Sequence, residues 1–484
     1  MKKNLFILAL LGSAAGANAQ TPNVQGPWTQ VNVTNPISPA PGYRIQDINT
    51  VSPTVAWALA RENTGGSKTE FFFRTLNPAG TEFAFDQITA PGSNTTYDAS
   101  NIAAVSATTA MVSRYGAQGG GEILRTTNGG TSWTKATATS DFTAGGGFLD
   151  FVYMFDANVG VAVGDPVGGY FEIRRTTDGG ATWSRIPSQP ALIPATGEAA
   201  LTGSFFGLGN TIWFGGATLD DNRQERVFKS IDRGVTWTVS GATPLTASIN
   251  SFAFKDQMNG IAFNQKVTGM PAAVSAVNVI RTSDGGATWS AITPVNTNAG
   301  SFFTYAIDAV DGRYYSVGQR FPASTPGTSY DFGTSYSTDG VNWTNVNRSQ
   351  GFFVFDLITG ATAGTAAGYA GTATDANGVG GIWKTANANV IAATRDAVLQ
   401  YALSVYPNPS ASGVFSVDLG ANLKAGALVT VVDALGRQVK SQTLSAATVG
   451  AQRFSLDLSG QKTGVYTLQI RTDAGIATQK LVVE

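Results

Sequence analysis

Two absences decide which side chains of this 484-residue chain could do chemistry: it contains no cysteine and no histidine. That removes thiol nucleophiles, Ser-His-Asp triads and zinc sites built from His or Cys. Any catalysis falls to carboxylates, Tyr, Lys, Arg, Ser or Thr. The stretch RTTDGGATWS, residues 175–184, packs an acid, two glycines and a tryptophan into a short span that looks like a small ligand site. Other candidate polar groups are Arg61 with Glu62, Arg114 with Tyr115, Asp165, Glu198, the loop residues Asp220, Asp221, Arg223 and Glu225, and Arg320 with Asp331. Two of these carboxylates at a suitable separation could act as acid and base in glycoside cleavage. No D-x-D-x-D-G loop is present and no G-x-G-x-x-G follows a strand into a helix, so neither metal nor cofactor is expected.

The elements that must position these groups emerge from a repeat. The chain reads RTTNGGTSW at 125–133, RTTDGGATW at 175–183, KSIDRGVTW at 229–237, RTSDGGATW at 281–289 and YSTDGVNW at 336–343. A period of about fifty residues marks propeller blades, four-stranded sheets that cannot bury a face alone. The side chains carry turn chemistry: Asn128, Asp178, Asp232, Asp284 and Asp339 accept backbone N–H bonds from residues ahead, and Gly supplies the positive φ. Trp133, Trp183, Trp237, Trp289 and Trp343 then open the next strand and pack between blades. The opening stretch is therefore a fastener. It resembles the Asp-box, or BNR, repeat of sialidase-like propellers, and the fifth copy lacks one residue, which predicts a tighter turn.

Decayed copies complete the count. FFRTLNPAGTEF (72–83) keeps Asn77 and Gly80 with Phe83 in the tryptophan position, and GIWKTANANV (381–390) lacks the strand that should follow. Trp28-Thr29-Gln30-Val31 looks like that missing strand. The reading is all-β: a seven-bladed β-propeller closed by its N-terminal segment and followed by a small Ig-like sandwich. With strands A to D running outward from the axis, the boxes are C-to-D turns. Variable B-to-C and D-to-A loops on the opposite face are the candidate ligand surface. There GVAVG (160–164) and YFEIRRT (170–176) place Asp165-Pro166 in a loop. TIWFGG (211–216) and RVFKS (226–230) bracket the charged insertion 217–225, and Glu198 lies in the loop 187–204.

A formal net charge of -1 with 13% charged residues leaves no basic surface for nucleic acid. MKKNLFILALLGSAAGANAQ has the lysines, apolar stretch and small-x-small site of a signal peptide, residues 1–19. The propeller is expected over 20–384 and a small-residue linker over 385–402. From 403 about seven short alternating strands follow. Tyr406-Pro407-Asn408-Pro409, Asp433-Ala434-Leu435-Gly436-Arg437, Gly464-Val465-Tyr466 and Lys480-Leu481-Val482-Val483 resemble the type A C-terminal sorting domain of the type IX secretion system of Bacteroidetes. That resemblance implies Sec export, then passage across the outer membrane by the type IX machinery. The same resemblance implies removal of the tail by that system's sortase, with release or anchoring to lipopolysaccharide. Residues 100–375 also resemble bacterial and plant BNR-repeat proteins and, more weakly, photosystem II assembly factors. The function expected is binding of an extracellular glycan or protein through the loop face; the alternative is a glycoside hydrolase or lyase with a carboxylate pair at the channel mouth.

Overall fold

The computed structural model describes residues 27–34, 42–62, 70–93, 95–116, 118–138, 141–142, 147–218, 220, 222–268, 273–295, 301–321, 332–347, 351–360, 365–373, 381–388, 402–420, 427–433, 438–472 and 475–484. The signal peptide, most of the linker, Asp221 and Asp331 lie outside them, as does the side chain of Glu62. The chain divides into two compact units, Met1–Val390 and Ile391–Glu484.

The first unit is a seven-bladed propeller of antiparallel sheets. Blade 1 has strands A to D at Tyr43–Ser52, Val55–Glu62, Glu70–Thr75 and Glu82–Gln87; blade 2 at Asp98–Ala104, Ala110–Tyr115, Gly121–Thr126 and Thr134–Lys135. Blade 3 has Leu149–Met154, Gly160–Val167, Tyr170–Thr176 and Ser184–Arg185; blade 4 has Phe205–Leu208, Thr211–Gly215, Val227–Ser230 and Thr238–Val239. Blade 5 has Ser251–Phe254, Gly260–Thr268, Ala273–Thr282 and Ser290–Ile292; blade 6 has Ala306–Val310, Arg313–Gln319, Phe332–Ser337 and Thr344–Asn347.

Blade 7 takes its strands A to C from Val354–Thr359, Ala366–Gly371 and Ile382–Thr385, and its strand D from Trp28–Gln30. The pairing Thr29↔Lys384 repeats Thr134↔Arg125 of blade 2 and Ser184↔Arg175 of blade 3, so the N-terminal strand fills the place of a box-terminal strand in register. The closure reaches further than the sequence predicts. Asn32–Thr34 continues onto blade 1 and pairs parallel with Glu82–Ala84 as a fifth strand. One short segment thus covers the outer edges of both blades at the seam. Strand C of blade 7 runs to Thr385 and Ala388 is buried against that blade, so the propeller extends past the expected boundary at 384.

Each blade junction has its own apolar core. Trp133 packs between blades 1 and 2 with Trp57 and Phe72, ring centroids 6.3 and 5.4 Å away. Trp183, Trp237, Trp289, Trp343 and Trp28 occupy the next five junctions. Phe83 lies in the junction of blades 7 and 1 against Tyr369. Burying such a ring is worth about 1.5–3 kcal/mol, so the repeated aromatic is a large share of what joins one sheet to the next.

The second unit is a sandwich of a three-stranded sheet (Ser404–Tyr406, Val414–Asp418, Arg453–Asp457) and a four-stranded sheet (Gln438–Thr443, Leu428–Asp433, Gly464–Thr472, Gly475–Val483). Alternate residues such as Phe415, Val417, Val429, Val431, Leu468 and Leu481 fill its core.

Candidate functional site

The boxes are hydrogen-bonded turns. Asp178 Oδ1 accepts the N–H groups of Ala181 and Thr182 at 3.0 and 2.9 Å, and Oδ2 accepts the Thr182 hydroxyl at 2.6 Å. Gly180, at φ 79°, donates its N–H to Thr176 Oγ1 at 2.9 Å. Asp232 and Asp284 repeat the pattern. These bonds hold the carboxyls of Asp178, Asp284 and Asp339 down at about 2 despite the opposing effect of burial. In blade 2 Asn128 accepts the Ser132 N–H with its carbonyl oxygen and donates its amide to Ser132 Oγ. In blade 6 the turn is one residue shorter: Gly340 donates to Ser337, three positions back.

A second fastener in the same motif escapes the sequence reading. The basic residue three positions before the Asp or Asn reaches the following blade: Arg74 donates to Gly129 O, Arg125 to Gly179 O and Arg175 to Arg233 O at 2.6–2.9 Å. Lys384 of blade 7 donates to Ala79 O of blade 1. The signal was visible as the Arg or Lys that opens most copies.

On the opposite face the candidate residues form two clusters. In the first, Arg114 of blade 2 pairs with Glu70 of blade 1 at 2.9 Å and with Glu122 at 2.8 Å, and Arg61 lies 3.6 Å from Asp98. Glu70 also accepts the Ala99 N–H, and burial, outweighing the Arg114 charge, pushes its carboxyl up to about 7. Tyr115 is buried against Phe148, centroids 4.5 Å apart, and burial raises its hydroxyl. Arg61, Arg114 and Tyr115 therefore belong to the ends of B strands, where a loop position was expected; Arg61 and Arg114, with Glu70 and Glu122, join blades 1 and 2, and Tyr115 packs on Phe148 at the entry to blade 3. Glu70 and Glu122 went unnoticed because each opens a C strand with no motif around it.

The second cluster surrounds blade 4. Glu198 accepts the Ala195 N–H at 2.8 Å and both Nε and Nη2 of Arg226, and lies 3.6 Å from Arg223. Glu225 is buried beside it, and burial pushes its carboxyl up to about 7. The loops carrying these residues are woven together: Ala217 bridges to Ala199 and Ser248, and Gln224 bridges to Thr246. Asp220 closes a turn by accepting the Asn222 N–H at 3.0 Å. Asp220, Asn222 and Gln224 are exposed.

One expectation is corrected. Asp165 lies inside strand B of blade 3 beside a bulge, because Gly164 and Pro166 both keep partners in strand C and the turn falls at Gly168-Gly169. Its side chain is buried and accepts the Ala200 N–H at 3.2 Å. Arg320 directly follows strand B of blade 6, as expected, and bridges to Phe303.

Around the axis runs a further set that sequence reading missed. Asp47 accepts the Ile102 N–H at 2.8 Å, Asn49 that of Ala104 at 2.7 Å, Asn101 that of Val152 at 2.9 Å and Asp308 that of Leu357 at 2.7 Å. Asp356 accepts the Thr50 N–H across the seam. Burial raises Asp47 to about 7 and Asp356 to about 6, and lifts Asp308 as well. The signal was an acid or amide inside an apolar A strand, as in RIQDINT, AIDAV and VFDLI.

In the second unit the Tyr-Pro-Asn-Pro segment meets Lys480–Val483, while Ala434-Leu435-Gly436-Arg437 lie outside the described residues. Asn408 donates to Lys480 O and accepts the Val482 N–H at 2.9 Å, and Ser410 donates its N–H to Val482 O at 2.9 Å. The YPNP segment therefore zips onto the outer edge of the last strand. Tyr466 donates its hydroxyl to Lys462 O at 2.6 Å. Residues 404–484 match the family model for the secretion system C-terminal sorting domain. The chain carries a type IX sorting domain. It is exported by that system to the cell surface or the extracellular space. No curated protein matches the sequence. Similar solved structures include YCF48 from Cyanidioschyzon merolae, at 13% identity over 74% of this chain and 98% of that one with a TM-score of 0.47. PorZ, a surface component of the type IX secretion system of Porphyromonas gingivalis, is similar at 12% identity over 89% of this chain and 58% of its own, TM-score 0.45. The GH74 enzyme of Niastella koreensis is similar at 14% identity over 91% and 66%, TM-score 0.42.

Proposed function

We propose that the exported propeller is a ligand-binding module that recognises an extracellular glycan through the woven loops of blade 4, without turnover. The observation that carries this is the division of labour in that cluster. Glu198 and Glu225, the two carboxylates near enough to suggest hydrolysis, are shut away from solvent. The groups that face outward are Asp220, Asn222 and Gln224. Such short side chains offer both donors and acceptors to hydroxyls, and the backbone bridges beneath them limit the ordering cost of binding.

The test is a glycan array with the purified protein and with the triple variant D220A/N222A/Q224A. Binding that the triple variant loses, with an unchanged melting temperature, supports the proposal. Release of new reducing ends from a bound glycan would favour the hydrolase reading, and capture of a protein with no glycan bound would move the ligand class.

A further inference from the structure

Glu225 breaks the rule that buried polar groups are satisfied. Its side chain is 0% exposed, and neither carboxyl oxygen meets a hydrogen-bond donor. Its neighbour Glu198 has the opposite circumstances, with a backbone N–H and two guanidiniums turned toward it. The two carboxyls come together over Gly216: Glu198 Oε1 and Glu225 Oε2 lie 2.7 and 3.0 Å from the point where a Cβ on that glycine would sit. Among the described residues, the charged groups facing Glu225 are Arg223 and Asp220 from its own loop, Glu198 from the loop 187–204 and Arg226 from the start of strand C.

A carboxylate without donors in such a place is unfavourable as an anion, and a second carboxylate beside it makes it more so. A proton relieves both costs. The main chain of Glu225 is also part of the weave: its N–H donates to Leu245 O at 2.9 Å and its C=O accepts the Thr243 N–H at 2.8 Å. We propose that Glu225 holds a proton, and that loss of this proton to solvent unpicks the loops of blade 4 and makes ligand binding there proton-linked. The binding half of this statement rests on the function proposed above; the loop half does not. Once ionised, Glu225 gains by turning toward water, and turning strains its own two of the backbone bonds that tie 217–225 to 243–249, the others being Thr218 N–H to Ala247 O and Ala247 N–H to Arg223 O.

Hydrogen exchange of the full chain across about pH 6 to 8.5, corrected for intrinsic rates, tests the loop half with no ligand present. Peptides covering 217–225 and 243–249 should lose about tenfold in protection, the equivalent of one pH unit of linkage. Peptides of blade 3 should not change. Glu225→Gln, which mimics the protonated acid, should abolish the loss. Flat protection in the wild type, or the same loss in E225Q, overturns the proposal. Should E225Q fail to fold, the wild-type curve decides, since a midpoint near 7 supports the assignment and no midpoint sinks it. Loss of protection with no glycan bound at any pH would leave the proton in place and overturn only the ligand reading.

Discussion

At the scale of residues, one motif does two jobs that separate cleanly by side chain. The Asp or Asn organises a local turn, and the tryptophan joins that turn to the preceding blade. Only an acceptor oxygen is needed for the first job, as Asn128 already shows in blade 2. Asp178→Asn should therefore keep the turn and lose only what the charge adds to its hydrogen bonds, about 1 kcal/mol. Trp183→Ala, which empties the junction of blades 2 and 3, should cost about 3–5 kcal/mol. Chemical unfolding of the two variants followed by tryptophan-independent circular dichroism checks both, and equal losses would contradict this division. The candidate arginines and acids of the loop face read differently once placed. Arg114 and Glu198 are consumed by buried pairs, where removing one partner strands the other and weighs on stability before it touches a ligand.

At the scale of elements, the N-terminal strand is the lock of the ring. It supplies strand D to blade 7, with Trp28 in the junction toward blade 6, and then pairs with blade 1. Deleting residues 28–34 should remove an interblade core and expose two sheet edges at once. A fall in melting temperature well beyond that of any single Trp-to-Ala variant is expected by scanning calorimetry, and an unchanged melt would show that the ring closes without it. The tail uses the same device on a smaller scale, since Asn408 and Ser410 cover the edge of the strand that ends the chain.

At the scale of the whole molecule, two populations of carboxylates pull stability in opposite directions with pH. Asp178, Asp284 and Asp339 are held near 2. Their contribution is present above the ordinary carboxylate range and is lost as pH falls through about 2. Asp47, Glu70 and Glu225 are raised to about 7 and Asp356 to about 6. Their contribution is complete below the ordinary range and is lost as pH rises through about 6 to 7. The melting temperature should thus peak near pH 4–5, between the two windows. A profile rising steadily from pH 5 to 8 would rule out the inner carboxylates as a significant term.

The spacing of the boxes, the stray Trp28 and the Tyr-Pro-Asn-Pro segment were legible in the amino-acid order because each is a local pattern whose meaning survives without its neighbours. Turn geometry needs only a few consecutive residues, and a fifty-residue period needs only counting. What Asp165, Arg114, Glu198 and Glu225 do depends on residues brought beside them from other blades, so their types and loop-like surroundings suggested a surface while folding buried them. The ring of Asp47, Asp308 and Asp356 shows the same limit: the acids stand in plain sight, but only closure of the seven sheets around one axis sets each against the backbone of the next.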